Sequence, residues 1–156
     1  MFRLHKSARK WGYDLVHNKN IGPIKIEFDL YYIFLLVGLG LGKSEPLEEG
    51  QSEELLRNYP KPYQQQRHKI ALLLLYCDLK ASGFDITNKT IVKSKIEEML
   101  STNSQNLLTD QAGKLLNNYA NGGFEAIREV MATAETDSSL FISIIYQEFF
   151  PKLFIE

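Results

Sequence analysis

The stretch from Tyr31 to Ser44, YYIFLLVGLGLGKS, constrains the fold more than any other part of the chain. It contains an uncharged run of 13 residues, 30–42, whereas a membrane-crossing helix needs about 20. Three glycines within the run, Gly38, Gly40 and Gly42, lower its helix propensity further. We therefore predict a segment buried in a protein core and no membrane span.

The end of this stretch, Gly42-Lys43-Ser44, matches the end of a phosphate-binding loop. Such a loop needs a glycine five residues before Gly42, where Val37 stands, and a helix that begins at the lysine. Glu45 and a proline follow instead, which place negative charge near the nucleotide position and disfavour a continuous helix. A degenerate nucleotide-binding enzyme is therefore only the second alternative function.

Two structural interpretations of the run remain open. In a helix, Gly38 and Gly42 share a face that another backbone can approach closely, which would suit the apolar segment 72–79. In a strand, Gly38, Gly40 and Gly42 all lie on one face.

The chain length, the composition and the net charge predict one intracellular domain. A chain of 156 residues with 44% apolar residues can bury a core of its own, so we expect a single helical domain over 1–156. A net charge of −1 leaves only local patches for binding nucleic acid or an acidic membrane. The single cysteine, Cys77, lies in a leucine-rich run, which predicts a buried thiol, no intramolecular disulfide and a cytoplasmic location.

The N-terminal segment is basic and aromatic. Its first 25 residues hold six Lys or Arg and one acid, Asp14. Cations can neutralise phosphates and an aromatic ring can stack on a base, which predicts contacts with nucleic acid or an acidic partner. The alternative is a solvated surface that faces the acidic segment 45–54. The predicted binding residues are Arg3, Lys6, Arg9, Lys10 and Trp11.

Patterning predicts a mainly α fold, a compact bundle of about six helices with a small N-terminal β-hairpin. Alternation over 24–28 predicts a strand that pairs with 13–17 across turn residues 18–22, within a basic segment 1–28. The bundle occupies 29–156, with Asp29 as the cap of the apolar run.

Six further helices follow along the chain. We predict a short helix near 53–56, a long one over 63–82, and one capped by Thr87. Thr109 caps the next helix, and Asn121-Gly122-Gly123 separates that helix from another one. We predict that these two helices form an antiparallel pair. A DNA-binding helix-turn-helix is disfavoured because the second helix is acidic. Asp137 or Ser138 caps the last, which runs to position 150.

No catalytic, cofactor or metal site is predicted, because the three histidines are isolated and Cys77 lacks a neighbouring base. The C-terminal helix and tail carry more apolar residues than one core needs. This excess predicts that a protein partner or a second copy docks there. The alternative is that the helix fills the centre of the core. The predicted docking residues are Phe149, Phe150, Leu153 and Phe154.

The expected function is a non-catalytic helical accessory subunit or protein-interaction module of a larger intracellular assembly, including one that acts on nucleic acid. This size and composition are typical of small helical subunits of bacterial multi-component systems. The first alternative is a protein that binds nucleic acid directly through its basic N-terminus.

Overall fold

The mainly α fold with a small N-terminal sheet is confirmed. A computed structural model describes residues 1–18 and 22–153. Over these residues the helices are α1 (Lys6–Trp11), α2 (Tyr13–His17), α3 (Glu27–Leu41), α4 (Arg67–Ala81), α5 (Lys89–Met99), α6 (Asp110–Val130) and α7 (Ser138–Phe149), and the strands are β1 (Phe2–His5) and β2 (Ser52–Leu56). None of these helices is both long and apolar enough to cross a membrane.

The helix α3 is the centre of the core, so the strand interpretation of the glycine-rich run is wrong. Asp29 caps it from inside the first turn, because its Oδ2 accepts hydrogen bonds from the amides of Lys25 at 2.6 Å and Ile26 at 2.9 Å. The helix ends at Gly42, whose φ of 64° is left-handed. Such a φ strains most side chains, which explains the glycine at this position.

The partner of α3 is α6, and not the segment 72–79. A methyl group built on Gly38 would collide with the carbonyl oxygen of Tyr119, and one on Gly123 would collide with that of Phe34. The two backbones therefore touch, with a glycine from each helix at the crossing. Segment 72–79 lies in α4, which contacts α3 less extensively.

The predicted break at Asn121-Gly122-Gly123 is also wrong, because α6 is one continuous helix of 21 residues. Each glycine costs a helix about 1 kcal/mol relative to alanine. Here Gly122 passes the carbonyl of Lys43 and Gly123 passes that of Phe34, and neither position has room for a side chain. Thr109 caps α6 as predicted, accepting from the amide of Ala112 at 3.3 Å.

The strands lie elsewhere than predicted. β1 pairs antiparallel with β2, with Phe2 opposite Leu56 and His5 opposite Ser52. Segment 13–17 is the helix α2, and 24–28 leads into α3 instead of forming a strand. The turn predicted at 18–22 lies partly outside the described residues, and the predicted short helix at 53–56 is part of β2.

The other helices are close to their predicted positions. The helix predicted over 63–82 is α4, preceded by a 3-10 turn at Lys61–Gln66. Asn88 caps α5 in place of Thr87, since the hydroxyl of Thr87 donates to Asp85. Asp137 caps α7 as predicted, accepting from the amides of residues 139 and 140.

Candidate functional site

Arg9 of the predicted basic surface is held by acidic residues of the same chain. Its guanidinium makes two hydrogen bonds to the Glu27 carboxylate, at 2.7 and 2.9 Å, and one to Glu53 at 3.1 Å. The hydrogen bonds to Glu27 and then to Glu53 raise the pKa of Arg9. The acidic segment thus faces the basic one, as the alternative interpretation predicted.

Two of the other predicted cations also have partners within the chain. Arg3 Nε donates to Ser52 Oγ at 2.9 Å, and Lys6 Nζ donates to the carbonyl of Gly50 at 3.0 Å. Lys10 is exposed and makes no hydrogen bond or ion pair with a side chain among the described residues. One cation of the predicted four is therefore left without an internal partner.

Trp11 is half-buried and packs against the aromatic core. Its ring contacts Phe34, Phe124 and Phe141, with ring centroids 6.1, 5.9 and 6.0 Å away. Its Nε1 donates to the carbonyl of Ala132 at 3.2 Å. The ring joins α1 to α3, α6 and α7, so these contacts occupy an aromatic surface that a stacked base would need.

The Gly42-Lys43-Ser44 segment does not have the architecture of a phosphate-binding loop. It follows a helix instead of a strand, and no helix begins at Lys43 or Ser44. The Lys43 amide donates to the carbonyl of Gly38 at 2.8 Å, while its ammonium pairs with Glu129 at 2.9 Å. The amide of Lys43 therefore caps the C-terminal end of α3, and its ammonium forms an ion pair with the end of α6.

The described residues contain one ion cluster shared by three helices. Lys95 Nζ of α5 lies 3.1 Å from Asp78 Oδ2 of α4 and 3.2 Å from Glu98 Oε2, and Gln111 of α6 donates to Glu98. Burial alone would lower the pKa of Lys95, but its bonds to Asp78 and Glu98 outweigh burial and raise the pKa. The ammonium occupies the place between the carboxylates, so the cluster serves to join helices.

Metal and thiol chemistry find no support in the described part of the chain. It holds no group of three or more His, Cys, Asp or Glu side chains placed to bind a metal ion. Cys77 is buried as predicted, and burial raises the pKa of its thiol to about 11. A thiol with so high a pKa is a poor nucleophile near neutral pH.

The predicted docking residues lie in three different environments. Phe149 is in the core with 4% of its surface exposed, whereas Phe150 is 59% exposed. Leu153 is half-buried and its side chain covers Gly40. Phe154 lies outside the described residues.

The prediction of docking residues from the sequence missed Tyr146, whose exposed ring contacts that of Phe150. Tyr146, one turn earlier on α7, is 61% exposed, and its ring stacks on that of Phe150 with centroids 4.7 Å apart and planes at 21°. Leu140 of α7 is 49% exposed and lies about 100° around the helix from this pair. Tyr146 and Phe150 are four residues apart and so lie on one side of the helix, and that spacing was the available signal. We call Leu140, Tyr146 and Phe150 the α7 face.

The α7 face is the candidate site with the fewest internal contacts. The basic segment is mostly engaged within the chain, Lys43 serves to close α3, and Lys95 is enclosed between carboxylates. The three side chains of the α7 face, by contrast, turn large apolar surfaces to solvent. The chain matches no protein-family model, no curated protein and no solved structure.

Proposed function

We propose that the chain is a non-catalytic protein-interaction module, an accessory subunit that docks on a larger cytoplasmic assembly through the α7 face. The observation that carries the proposal is the stacked pair of Tyr146, near the end of α7, and Phe150, immediately after it, each about three-fifths exposed. Its free, buried Cys77 suits a reducing compartment.

An exposed aromatic pair on a helix has a physical reason to bind. An aromatic side chain buries about 150–250 Å² when it enters an interface, and binding hot spots are rich in such rings. The stack already orders Tyr146 and Phe150 in the free protein, so less conformational entropy is lost on docking.

The surroundings favour a protein as the partner. Ser139, Ser143 and Gln147 are exposed beside the apolar side chains, and Glu148 and Lys152 follow at the C-terminal end. Exposed apolar and polar side chains therefore alternate on this side of α7, and protein interfaces combine both kinds of surface. The pair Tyr146 and Phe150, about one turn apart, fits an apolar groove of a partner protein.

The experiment compares two pairs of exposed apolar residues that have the same spacing and lie at different helices. One variant is Tyr146→Ser with Phe150→Ser on α7. The matched control is Leu72→Ser with Tyr76→Ser on α4, a pair with the same spacing and with 59% and 40% exposure. The main partner of the tagged wild-type protein is identified from its native cell, purified, and titrated with each variant by calorimetry.

We expect the α7 variant to bind the purified partner at least about tenfold more weakly, and the α4 variant to bind like the wild type. Equal binding by both variants would overturn the proposal. A dimer of the isolated chain in sedimentation, dissociated by the α7 variant, would identify a second copy as the occupant and would contradict an accessory subunit.

A further inference from the structure

The longest run of the sequence without an acidic residue extends from position 55 to position 77. One of its cations, Arg57, pairs with Glu54 just outside the run at 3.2 Å. The remaining three lie around the start of α4, in the preceding 3-10 turn and in the first turn of the helix. We call these three cations, Lys61, Arg67 and Lys69, the α4 basic surface.

The chain itself does not neutralise the α4 basic surface. Lys61 and Lys69 are exposed, and neither side chain makes a hydrogen bond or an ion pair among the described residues. Arg67 is half-buried, and its Nη1 lies 3.5 Å from the carbonyl oxygen of Gln105, a neutral acceptor. By contrast, the side chains of Arg9 and Lys95 are each bound by two carboxylates. The α4 basic surface therefore presents uncompensated positive charge.

The segments beside the α4 basic surface do not cancel its charge. The loop 101–107, which includes Gln105, contains no charged residue. Asp29 lies beside the 3-10 turn, where its Oδ1 accepts from the hydroxyl of Tyr63 at 2.6 Å. Its Oδ2 accepts from the amide of Lys25, whose side chain is exposed. The one carboxylate on this side thus has a cation next to it.

The α4 basic surface is short and follows a single segment of the chain. The rise is about 2.0 Å per residue in a 3-10 turn and about 1.5 Å in an α-helix, so Lys61 and Lys69 are about 15 Å apart along the segment. A nucleic-acid strand with stacked bases carries one charge about every 3.4 Å, so this length matches about four phosphates. Gln64 and Gln65 lie exposed between the cations. Their amides can both donate to and accept from the base edges of an unpaired strand.

We propose that the α4 basic surface binds a single-stranded nucleic acid through its phosphate backbone. The three cations contact phosphates, and Gln64 and Gln65 face the bases. A single strand fits better than a duplex, because its unpaired bases leave their edges open to the glutamines. It also fits better than an acidic protein, because each nucleotide supplies a charge at close, regular spacing. The surface shares no residue with the α7 face, so this proposal is independent of the proposed docking function.

The test is fluorescence anisotropy of a labelled single strand of about 20 nucleotides, as DNA and as RNA, titrated with the full chain. Three phosphate contacts give a log–log salt slope of about −2, so the Kd should rise about 20-fold between about 50 and about 200 mM salt. Absence of binding to both strands at the lower salt concentration would overturn the proposal. So would a Kd that does not change with salt.

Two triple variants locate the binding. Replacing Lys61, Arg67 and Lys69 by Gln should weaken binding at least about tenfold at about 50 mM salt and remove most of the salt dependence. The matched control carries Lys80→Gln, Lys89→Gln and Lys114→Gln, three exposed lysines elsewhere whose loss changes the net charge equally. This control should bind as the wild type does. Equal binding by the two triple variants would overturn the assignment to this surface.

A double variant covers the case in which the loss of the half-buried Arg67 impairs folding. Lys61→Gln with Lys69→Gln changes only exposed side chains without partners among the described residues, and it should weaken binding at least about fivefold. Unchanged binding by a folded double variant would overturn the proposal.

Two competitors distinguish the other occupants. Polyglutamate supplies negative charge without bases and should displace the labelled strand poorly. Displacement as effective as that by the unlabelled strand would identify an acidic protein as the occupant and overturn the proposal. A duplex of the same sequence should also compete poorly, and equal competition would overturn the choice of a single strand.

Discussion

The helices α3 and α7 are both rich in large apolar residues, yet they lie in opposite environments. Phe28, Tyr31 and Phe34 of α3 are almost completely buried. In α7, Phe141 and Phe149 are equally buried, but the α7 face is open to solvent. Apolar density in the sequence therefore does not decide burial.

What separates the two helices is the distance at which another backbone can approach. Gly38 of α3 and Gly123 of α6 let the two backbones meet. The close approach gives the surrounding side chains more contacts and covers α3 on this side. The helix α7 contains no glycine and packs through its side chains alone, with one face left uncovered. The glycine contact between α3 and α6, here called the glycine crossing, is therefore the centre of stability.

Gly38→Leu gives the largest expected effect. The new side chain meets the Tyr119 carbonyl and the Gly123 amide, backbone groups that cannot rotate away. We expect a loss of more than about 3 kcal/mol in the free energy of unfolding, the upper end of overpacking costs. Urea unfolding measures it. Gly113→Ala, a glycine replacement in open space on α6, is the control and should be neutral or stabilising, and a stable Gly38→Leu protein would disprove the glycine crossing.

Trp11→Ala tests whether the far side of α3 depends on aromatic packing. The indole contacts Phe34 of α3, Phe124 of α6 and Phe141 of α7, so its removal leaves a cavity among three helices. We expect a loss of about 3–5 kcal/mol in urea unfolding. Tyr13→Ala on the neighbouring helix α2, where the ring is 56% exposed, should cost less than about 1 kcal/mol. Similar losses in the two variants would contradict an internal role for Trp11.

Alkaline pH should weaken the glycine crossing. Burial raises the pKa of Tyr119 from 10.0 to about 12, and burial raises that of Tyr31 well above 10.0. Both hydroxyls stay neutral in the folded chain while they ionise in the unfolded one. Their stabilisation is therefore complete below pH about 10 and is lost as the pH rises towards 12, by about 1.4 kcal/mol per pH unit for each group.

Urea unfolding at a series of pH values, together with the absorbance of tyrosinate, measures this decline. Tyr119→Phe should make the decline less steep, and Tyr31 should account for part of what remains. Constant stability between pH about 9 and 12 would show that these hydroxyls are not shielded from water.

The smallest expected effect on stability is at the α7 face. Tyr146→Ser with Phe150→Ser removes exposed rings, so the free energy of unfolding should change by no more than about 0.5 kcal/mol per site. Thermal unfolding would check it. A loss as large as that of Trp11→Ala would show that the α7 face is covered by the chain itself, which would remove the basis for docking.

The sequence predicted correctly what depends on near neighbours in the chain. The caps Thr109 and Asp137 and the long helix 63–82 follow from a few adjacent residues, and the structure confirms all three. Asn88 in place of Thr87 is an error of one residue between two suitable caps. The strands were misplaced because β1 and β2 are about fifty residues apart, and no local pattern reports such a pairing.

For the candidate binding surfaces, too, the sequence identified residue types, and only the fold showed their surroundings. The basic residues of the N-terminal segment were identifiable by type, but only the fold shows that Arg9 is held by Glu27 and Glu53. The adjacent residues Phe149 and Phe150 look equivalent in sequence, and the orientation of α7 places one inside and the other outside.

By itself, the sequence determined that the apolar part of the run, 31–41, packs into the core, that the chain is mainly helical, and where several helices begin. These outcomes depend on hydrophobicity and on hydrogen bonds between near neighbours. Only the tertiary structure decided that Gly122 and Gly123 continue a helix and that α6 is the partner of α3. A glycine pair reads as a break along the chain, but a close backbone contact stabilises it within a helix, and that contact comes from a distant segment.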